Sequence, residues 1–153
     1  MSFVLIVGAK SDIAMAIARE YARHGYDLYL AARKSESLAL FARDLTIRYQ
    51  RDIKLLDLDI LDYKSHGEFY SHLSVKPKGV ISAVGYLGEQ EKAQQDFSQV
   101  EKIIASNYTG VISLLNLIAN DFEHRKSGFI VAVSSVAGDR GRKSNYLYGS
   151  EKR

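Results

Sequence analysis

Near one end the chain carries Ser134-Ser135 and then Tyr148-Gly149-Ser150-Glu151-Lys152. A phenol and an ammonium four residues apart share one face of a helix. The hydroxyl of Ser135, thirteen residues before Tyr148 and at the end of an apolar run, can be folded over that pair. Three such groups could hold and protonate an oxygen while a bound nucleotide delivers hydride. A place for the nucleotide is offered at the other end. There an apolar run passes into Gly8-Ala9-Lys10-Ser11-Asp12-Ile13-Ala14.

Backbone N–H groups at a helix start attract phosphate, and the helix dipole adds to that. Gly8 permits a tight turn, and Ser11 can cap the helix or bond a phosphate. The stretch is not a Walker loop, and it misses the three-glycine dinucleotide fingerprint, because Asp12 and Ala14 stand where glycines are expected. A capped strand-to-helix turn explains it equally well. The second apolar run ends in Ala31-Ala32-Arg33. An acidic residue near this point would select NAD. Arg33 and Lys10 favour a ribose 2′-phosphate instead, hence NADP, unless Arg33 only opens an exposed polar stretch. Asp59 and Ile60 follow the third apolar run. A carboxylate there could accept from an adenine amino group, or could cap the next helix.

Short apolar runs alternate with longer amphipathic ones. Strands are expected at Phe3–Val7, Tyr26–Ala32, Ile53–Leu58, Val80–Val84 and Gly128–Ser134. Helices are expected at Asp12–His24, Ser35–Tyr49, Asp62–Leu73, Glu91–Ala105, Tyr108–Glu123 and from Ser144 onward. This order predicts an α/β domain, a doubly wound parallel sheet with helices on both faces. A (β/α)₈ barrel needs more strands.

The composition, 46% hydrophobic and 25% charged with a net charge of +3, is that of one soluble globular domain over residues 1–153. Charges of both signs are interspersed, so no nucleic-acid partner is expected. The chain has no cysteine, hence no disulfide framework or thiolate metal site; that fits a reducing, cytoplasmic setting. His24, His66, His72 and His124 lack zinc-ligand spacing and are expected on the surface. A hydrolase elbow is missing. No apolar run approaches the length of a transmembrane segment, and peripheral membrane contact stays open. Arg140, Arg142 and Lys143 form a basic cluster between Ser135 and Tyr148, either a solvated loop or a seat for an anionic substrate phosphate.

Tyr-x-x-x-Lys alone is a weak signal. Its company gives it weight: Ser135 upstream, Asn107-Tyr108-Thr109-Gly110 at a helix junction, and Ser82-Ala83-Val84-Gly85 closing the fourth strand. All fall where an open α/β sheet binds ligands. On these residues the chain resembles the short-chain dehydrogenase/reductases, from Phe3 to Lys152. The resemblance implies a Rossmann-like fold and a catalytic tetrad of Asn107, Ser135, Tyr148 and Lys152. It implies cofactor contacts from Gly8, Lys10, Ser11, Asp12, Ile13, Arg33, Asp59, Ile60, Ala83, Val84 and Gly85, with Asn107, Tyr148 and Lys152. The cofactor would be NADP by preference, with NAD as the alternative. The reaction would be reduction of a keto group or oxidation of a secondary alcohol. Ser134–Lys152, Ser11-Asp12-Ile13 and Val84–Gly88 are similar to the branch of decaprenylphosphoryl 2-keto-ribose (2-keto-pentose) reductases. That branch implies a small-molecule or lipid-linked sugar substrate.

In such a site Tyr148 is the acid and base, and the Lys152 charge favours the phenolate. Lys152 also reaches the nicotinamide ribose, Ser135 positions the substrate oxygen, and Asn107 holds water that passes protons to Lys152. The usual Thr-Gly-x-x-x-Gly-x-Gly and Asn-Asn-Ala-Gly are altered here. A non-catalytic NAD(P)-binding or scaffold module is therefore the other reading. Family members run on well past the Tyr-x-x-x-Lys helix. Residues 1–153 are accordingly expected to lack a C-terminal substrate-binding part, and the full-length protein is expected to be a homodimer or homotetramer through the Tyr108–Glu123 helix.

Overall fold

A computed structural model describes residues 2–153. Five parallel strands form one sheet: β1 (Phe3–Val7), β2 (Asp27–Ala32), β3 (Ile53–Asp57), β4 (Gly79–Ser82) and β5 (Phe129–Ala132). Their order is β3-β2-β1-β4-β5, all pairs parallel. The order reverses beside β1, which creates a crevice at the carboxyl ends of β1 and β4.

Successive residues of a strand point to opposite faces, and β1 is buried on both. Val4 and Ile6 join Leu28, Leu30 and Ile81 beneath α1 (Asp12–Arg23) and α2 (Ala39–Tyr49). Phe3, Leu5 and Val7 join Tyr29 and Val80 on the other face. Those pack against α3 (His66–Ser71) and against Leu114, Ile118 and Phe122 of α6 (Gly110–Arg125). Ala14, Ala18 and Ala22 form the inner stripe of α1, and small side chains let that helix lie close to the sheet. The remaining helices are α4 (Gln90–Ala93), α5 (Phe97–Ile104) and α7 (Tyr146–Glu151).

The doubly wound fold is as the sequence predicts; several boundaries differ. The expected helix Glu91–Ala105 is two pieces. Asp96 accepts from Ser98 N–H at 3.0 Å and so starts α5 afresh, an N-cap that interrupts the run. The expected break between Ala105 and Tyr108 is instead a π turn, Ala105–Thr109, that joins α5 to α6. The joined helix, Phe97–Arg125, has 29 residues and is long and apolar enough to cross a membrane by length and composition. In the sequence this run is concealed by the expected helix end at Ala105. The stripe Ile103, Leu114, Ile118 and Phe122 of this helix is buried in the protein. Short 3₁₀ turns, Ser35–Leu38 and Tyr63–Ser65, lead into α2 and α3. The first turn of α7 begins at Tyr146 rather than Ser144, with Asn145 in a non-helical conformation before it.

Candidate active site

The carboxyl ends of β1, β2 and β4 frame a cleft of about 560 Å³. Gly8 forms its floor. The N–H groups of Gly8 and Ala9 both donate to the carbonyl of Ala31, at 3.0 and 3.2 Å. Gly8 has φ of +77°, and a Cβ there would sit 2.8 Å from the carbonyl oxygen of Ala83. Only glycine allows the loop after β1 to pass so close to the loop after β4. Ser11 caps α1 by accepting from Ala14 N–H at 3.2 Å, and it also lines the cleft.

Charge in the cleft is strongly one-sided. Lys10, Arg33, Lys34 and Lys102 line it, against the single carboxylate of Asp59. Lys34 is in the left-handed conformation at φ +51°. The next residue holds it there, since Ser35 N–H donates to Asp57 Oδ1 at 2.7 Å. That hydrogen bond holds the Asp57 carboxyl below the usual carboxylate range. Asp59 does not cap the next helix, whose N-cap is Asp62; it accepts from Leu61 N–H at 3.0 Å in a local turn and lines the cleft with Ile60.

Tyr148 and Lys152 meet the cleft at the end of β4. A Cβ on Gly85 would lie 3.9 Å from the Tyr148 hydroxyl, the nearest atom to it. Lys152 Nζ donates to the carbonyl of Val84 at 3.0 Å and lies 5.6 Å from the centre of the Tyr148 ring. Phenol and ammonium therefore approach two adjacent residues, Gly85 and Val84, that line the cleft, although Tyr148 and Lys152 are not themselves among its lining residues. Burial lowers Lys152 below the ordinary lysine range, with the charge of Glu151 acting in the opposite sense.

The segment carrying Ser135 is locked onto the helix carrying Tyr148. Ser134 Oγ donates to the Lys152 carbonyl at 2.5 Å. Cβ atoms on Gly138 and Gly149 would stand 2.4 Å from the carbonyl oxygen of Lys152 and 2.5 Å from that of Ala137. The two backbones thus touch with no room for side chains. Ser135 Oγ accepts from Ala137 N–H at 3.2 Å, a local turn contact.

Asn107 sits in the π turn and is buried. It accepts from Tyr86 N–H at 2.7 Å and donates to the carbonyls of Tyr86 at 2.8 Å and Ile103 at 3.1 Å. Its amide is a clamp on the loop after β4, which positions Tyr86 on the cleft wall. Asn107 and Lys152 also line a smaller adjoining cavity of about 250 Å³.

Of the expected cofactor residues, Gly8, Lys10, Ser11, Arg33, Asp59, Ile60, Ala83, Val84 and Gly85 line the large cleft together. Asp12 and Ile13 are exposed at the start of α1, and neither is among the residues lining the cleft. Arg140, Arg142 and Lys143 are exposed on the turn after Ser135. Tyr86, Lys34 and Lys102 line the cleft without having been foreseen. Lys34 adjoins Arg33 and could have been read with it; Lys102 comes from a helix remote in sequence, which spacing does not reveal. His66 is a correction. Expected on the surface, it is 0% exposed. It lies 3.0 Å from Ser113 Oγ and 3.4 Å from the Asp59 carbonyl. A neutral ring serves both, Nδ1 accepting from the hydroxyl and Nε2 donating to the carbonyl. Burial lowers the imidazole below its ordinary range.

The family profile of short chain dehydrogenases matches residues 2–153. An uncharacterized oxidoreductase of Mycobacterium tuberculosis is 34% identical over 152 residues, 97% of this chain and 61% of the relative. One of Listeria monocytogenes is 30% identical over 162 residues, 97% of this chain and 61% of the relative. Among solved structures, a short-chain dehydrogenase from Sphingobium yanoikuyae in complex with NADPH superposes with a TM-score of 0.89 at 27% identity. It covers 99% of this chain and 60% of that one. A bulky-bulky ketone specific alcohol dehydrogenase from Comamonas testosteroni has the same fold, with a TM-score of 0.89 at 24% identity, covering 99% of this chain and 61% of that one. The chain thus spans about three fifths of the length of the relatives it matches.

Proposed function

The chain belongs to the short-chain dehydrogenase family, and on that premise we propose that the protein is a nicotinamide-dependent oxidoreductase that reduces a keto group or oxidises a secondary alcohol. One observation carries the proposal. The Tyr148 hydroxyl and the Lys152 ammonium converge on Gly85 and Val84, at the wall of a cleft floored by Gly8.

In this reading the start of α1, beside Gly8, would hold the pyrophosphate of the dinucleotide, since helix-start N–H groups and the helix dipole favour an anion there. Lys10, Arg33 and Lys34 support a 2′-phosphate, and so NADP over NAD. The cofactor supplies hydride. Tyr148 donates the proton that turns the nascent alkoxide into alcohol, Lys152 holds its charge beside that phenol, and Ser135 fixes the carbonyl oxygen. Asn107 acts by clamping Tyr86 and by bordering the cavity below Lys152. We further propose a keto-sugar substrate, free or linked to a polyprenyl phosphate, from the likeness of Ser134–Lys152 to the 2-keto-pentose reductases. The exposed apolar residues Ile104, Tyr108, Ile112 and Leu117 of the long helix support a homo-oligomer. The substrate-closing part of such an enzyme would lie outside residues 1–153.

The test is NADPH oxidation by the protein with a panel of ketones and keto-sugars, beside thermal-shift titration with NADPH and NADH. Turnover that Tyr148→Phe abolishes, with NADPH binding retained, is the expected result. Undiminished turnover in that variant overturns the proposal. Stabilisation by nucleotide without turnover on any carbonyl favours the binding-module reading, which the loss of two loop glycines at Asp12 and Ala14 motivates.

A further inference from the structure

His66 is the only histidine of the four that the fold encloses, and the catalytic reading makes no use of it. From the start of α3 it joins two other pieces of chain. Its Nδ1 lies 3.0 Å from Ser113 Oγ on α6, and its Nε2 lies 3.4 Å from the Asp59 carbonyl. A carbonyl only accepts, so the ring proton sits on Nε2, and Nδ1 accepts from the Ser113 hydroxyl. The Asp59 carbonyl also accepts from Asp62 N–H at 3.0 Å, so losing His66 would not strip it of every partner. One residue on, the Ile60 carbonyl faces Gly110 at the start of α6, with no room for a side chain between them. The segment Asp59–Leu61 is thus held against α6 at two points, and it forms one wall of the large cleft.

We propose that His66 is a positioning residue for the nucleotide: between Ser113 and the Asp59 carbonyl, it fixes the wall of the cleft that would hold the adenosine half. The inference rests on the nucleotide-binding part of the reading given above. Sheet order decides which half is concerned. Tyr148 and Lys152 approach Gly85 and Val84 after β4, so the reacting nicotinamide belongs on that side of Gly8. Arg33 and Asp59–Leu61 follow β2 and β3, on the other side of β1, and the adenosine half falls to them. His66 is not among the residues lining the cleft, so it acts only through the backbone of that wall.

An apolar side chain would fill this site without taking two polar nitrogens out of water, so the imidazole is not the cheapest filler for the core. What it adds is a donor and an acceptor at fixed places. Tyr63 meets the ring edge-on, 6.2 Å between centroids. Burial keeps the ring neutral against the pull of the Asp59 and Asp62 carboxylates, which keeps the donor on Nε2 and the acceptor on Nδ1. The opposite wall is held from the same stretch of the long helix, where Asn107 bonds the backbone of Tyr86. Asn107 on the β4 side and Ser113, through His66, on the β3 side thus set both walls from one helix.

The experiment titrates NADPH and NADH onto the protein and its His66→Leu, His66→Gln and Ser113→Ala variants by nucleotide fluorescence, with melting curves alongside. We expect His66→Leu to weaken binding of both nucleotides by about three- to tenfold, the value of a lost hydrogen bond. The factor should be the same for the two, because they share the adenine, so the preference between them stays as it is. Ser113→Ala should act in the same sense. His66→Gln, whose amide offers one group that donates and one that accepts, should restore most of the affinity. Unchanged affinity in both His66→Leu and Ser113→Ala overturns the proposal. So does an equal loss in His66→Gln and His66→Leu, which would make ring volume the cause. Should His66→Leu not fold, Ser113→Ala decides alone. Failure of the unaltered protein to bind either nucleotide counts against the nucleotide reading itself. Amide hydrogen exchange then decides on His66 separately. Faster exchange at Leu61 and Asp62 in Ser113→Ala, with Tyr86 unchanged, supports the clamp; unchanged exchange at Leu61 and Asp62 overturns it.

Discussion

Lys152 Nζ is anchored to the carbonyl of Val84 at 3.0 Å, so the ammonium is tied to the end of β4 as well as to its own helix. Its place beside Tyr148 is therefore set by two elements far apart in sequence. Lys152→Met should lower kcat/KM by about 10²- to 10⁴-fold, the range for a lost acid–base group, with little change in the sheet. Steady-state kinetics and the melting curve read the two effects separately.

Gly138 presses against the Lys152 carbonyl, and an added methyl would meet that oxygen at 2.4 Å. Gly138→Ala should cost about 1–3 kcal/mol of stability and should lower turnover, because the strain falls on the residue that bears the ammonium. Gly141, with nothing within 4 Å, is the control. Gly141→Ala should leave urea unfolding and turnover as they are.

Asn107 uses two of its three bonds to hold the loop after β4 and the third on Ile103 of α5. In Asn107→Leu the Tyr86 N–H and carbonyl lose their partners, at a cost of about 1–3 kcal/mol. Amide exchange at Tyr86 should speed up and NADPH binding should weaken. Unchanged exchange at that amide would show that something else holds the loop.

His66 gives stability a specific pH dependence. Its folded-state pKa is lowered by burial. The folded protein therefore binds the proton less readily than the unfolded chain. The contribution is complete above the ordinary imidazole value, about 6.5, and is lost as pH falls through the lowered value. Asp59 and Asp62 nearby oppose the shift without reversing it. Urea midpoints measured on the acid side of neutrality should fall with pH, and less so in His66→Gln. Parallel curves for both proteins would remove His66 from the account.

Much of this was readable in the residues. Phe3–Val7 is continuous in large aliphatic side chains, and β1 is buried on both faces. Ser11 caps α1 as its type suggests. The four-residue spacing of Tyr148 and Lys152 does bring them to one place. What stayed hidden depends on contacts between distant segments or on local competition. Asp96 cuts a helix by offering its side chain to the backbone. His66 looks like any polar residue until Ser113, 47 positions on, is brought against it. Tyr86 gains its position from Asn107, 21 residues away. The Glu151 carboxyl oxygens are covered where α7 packs on α5 and the π turn, which no local pattern records.

The π turn at Ala105–Thr109 also sets a limit on change. One extra residue wound into a helix rotates everything before it by about 100° relative to everything after it. Deleting any single residue between Ala105 and Thr109 would restore regular winding and look harmless by composition. It would also swing the amide of Asn107 off the Tyr86 backbone, or turn the Leu114–Phe122 stripe off the sheet. Insertions and deletions should thus be tolerated less in these five positions than point substitutions, because length there, more than side-chain identity, keeps two helices in phase.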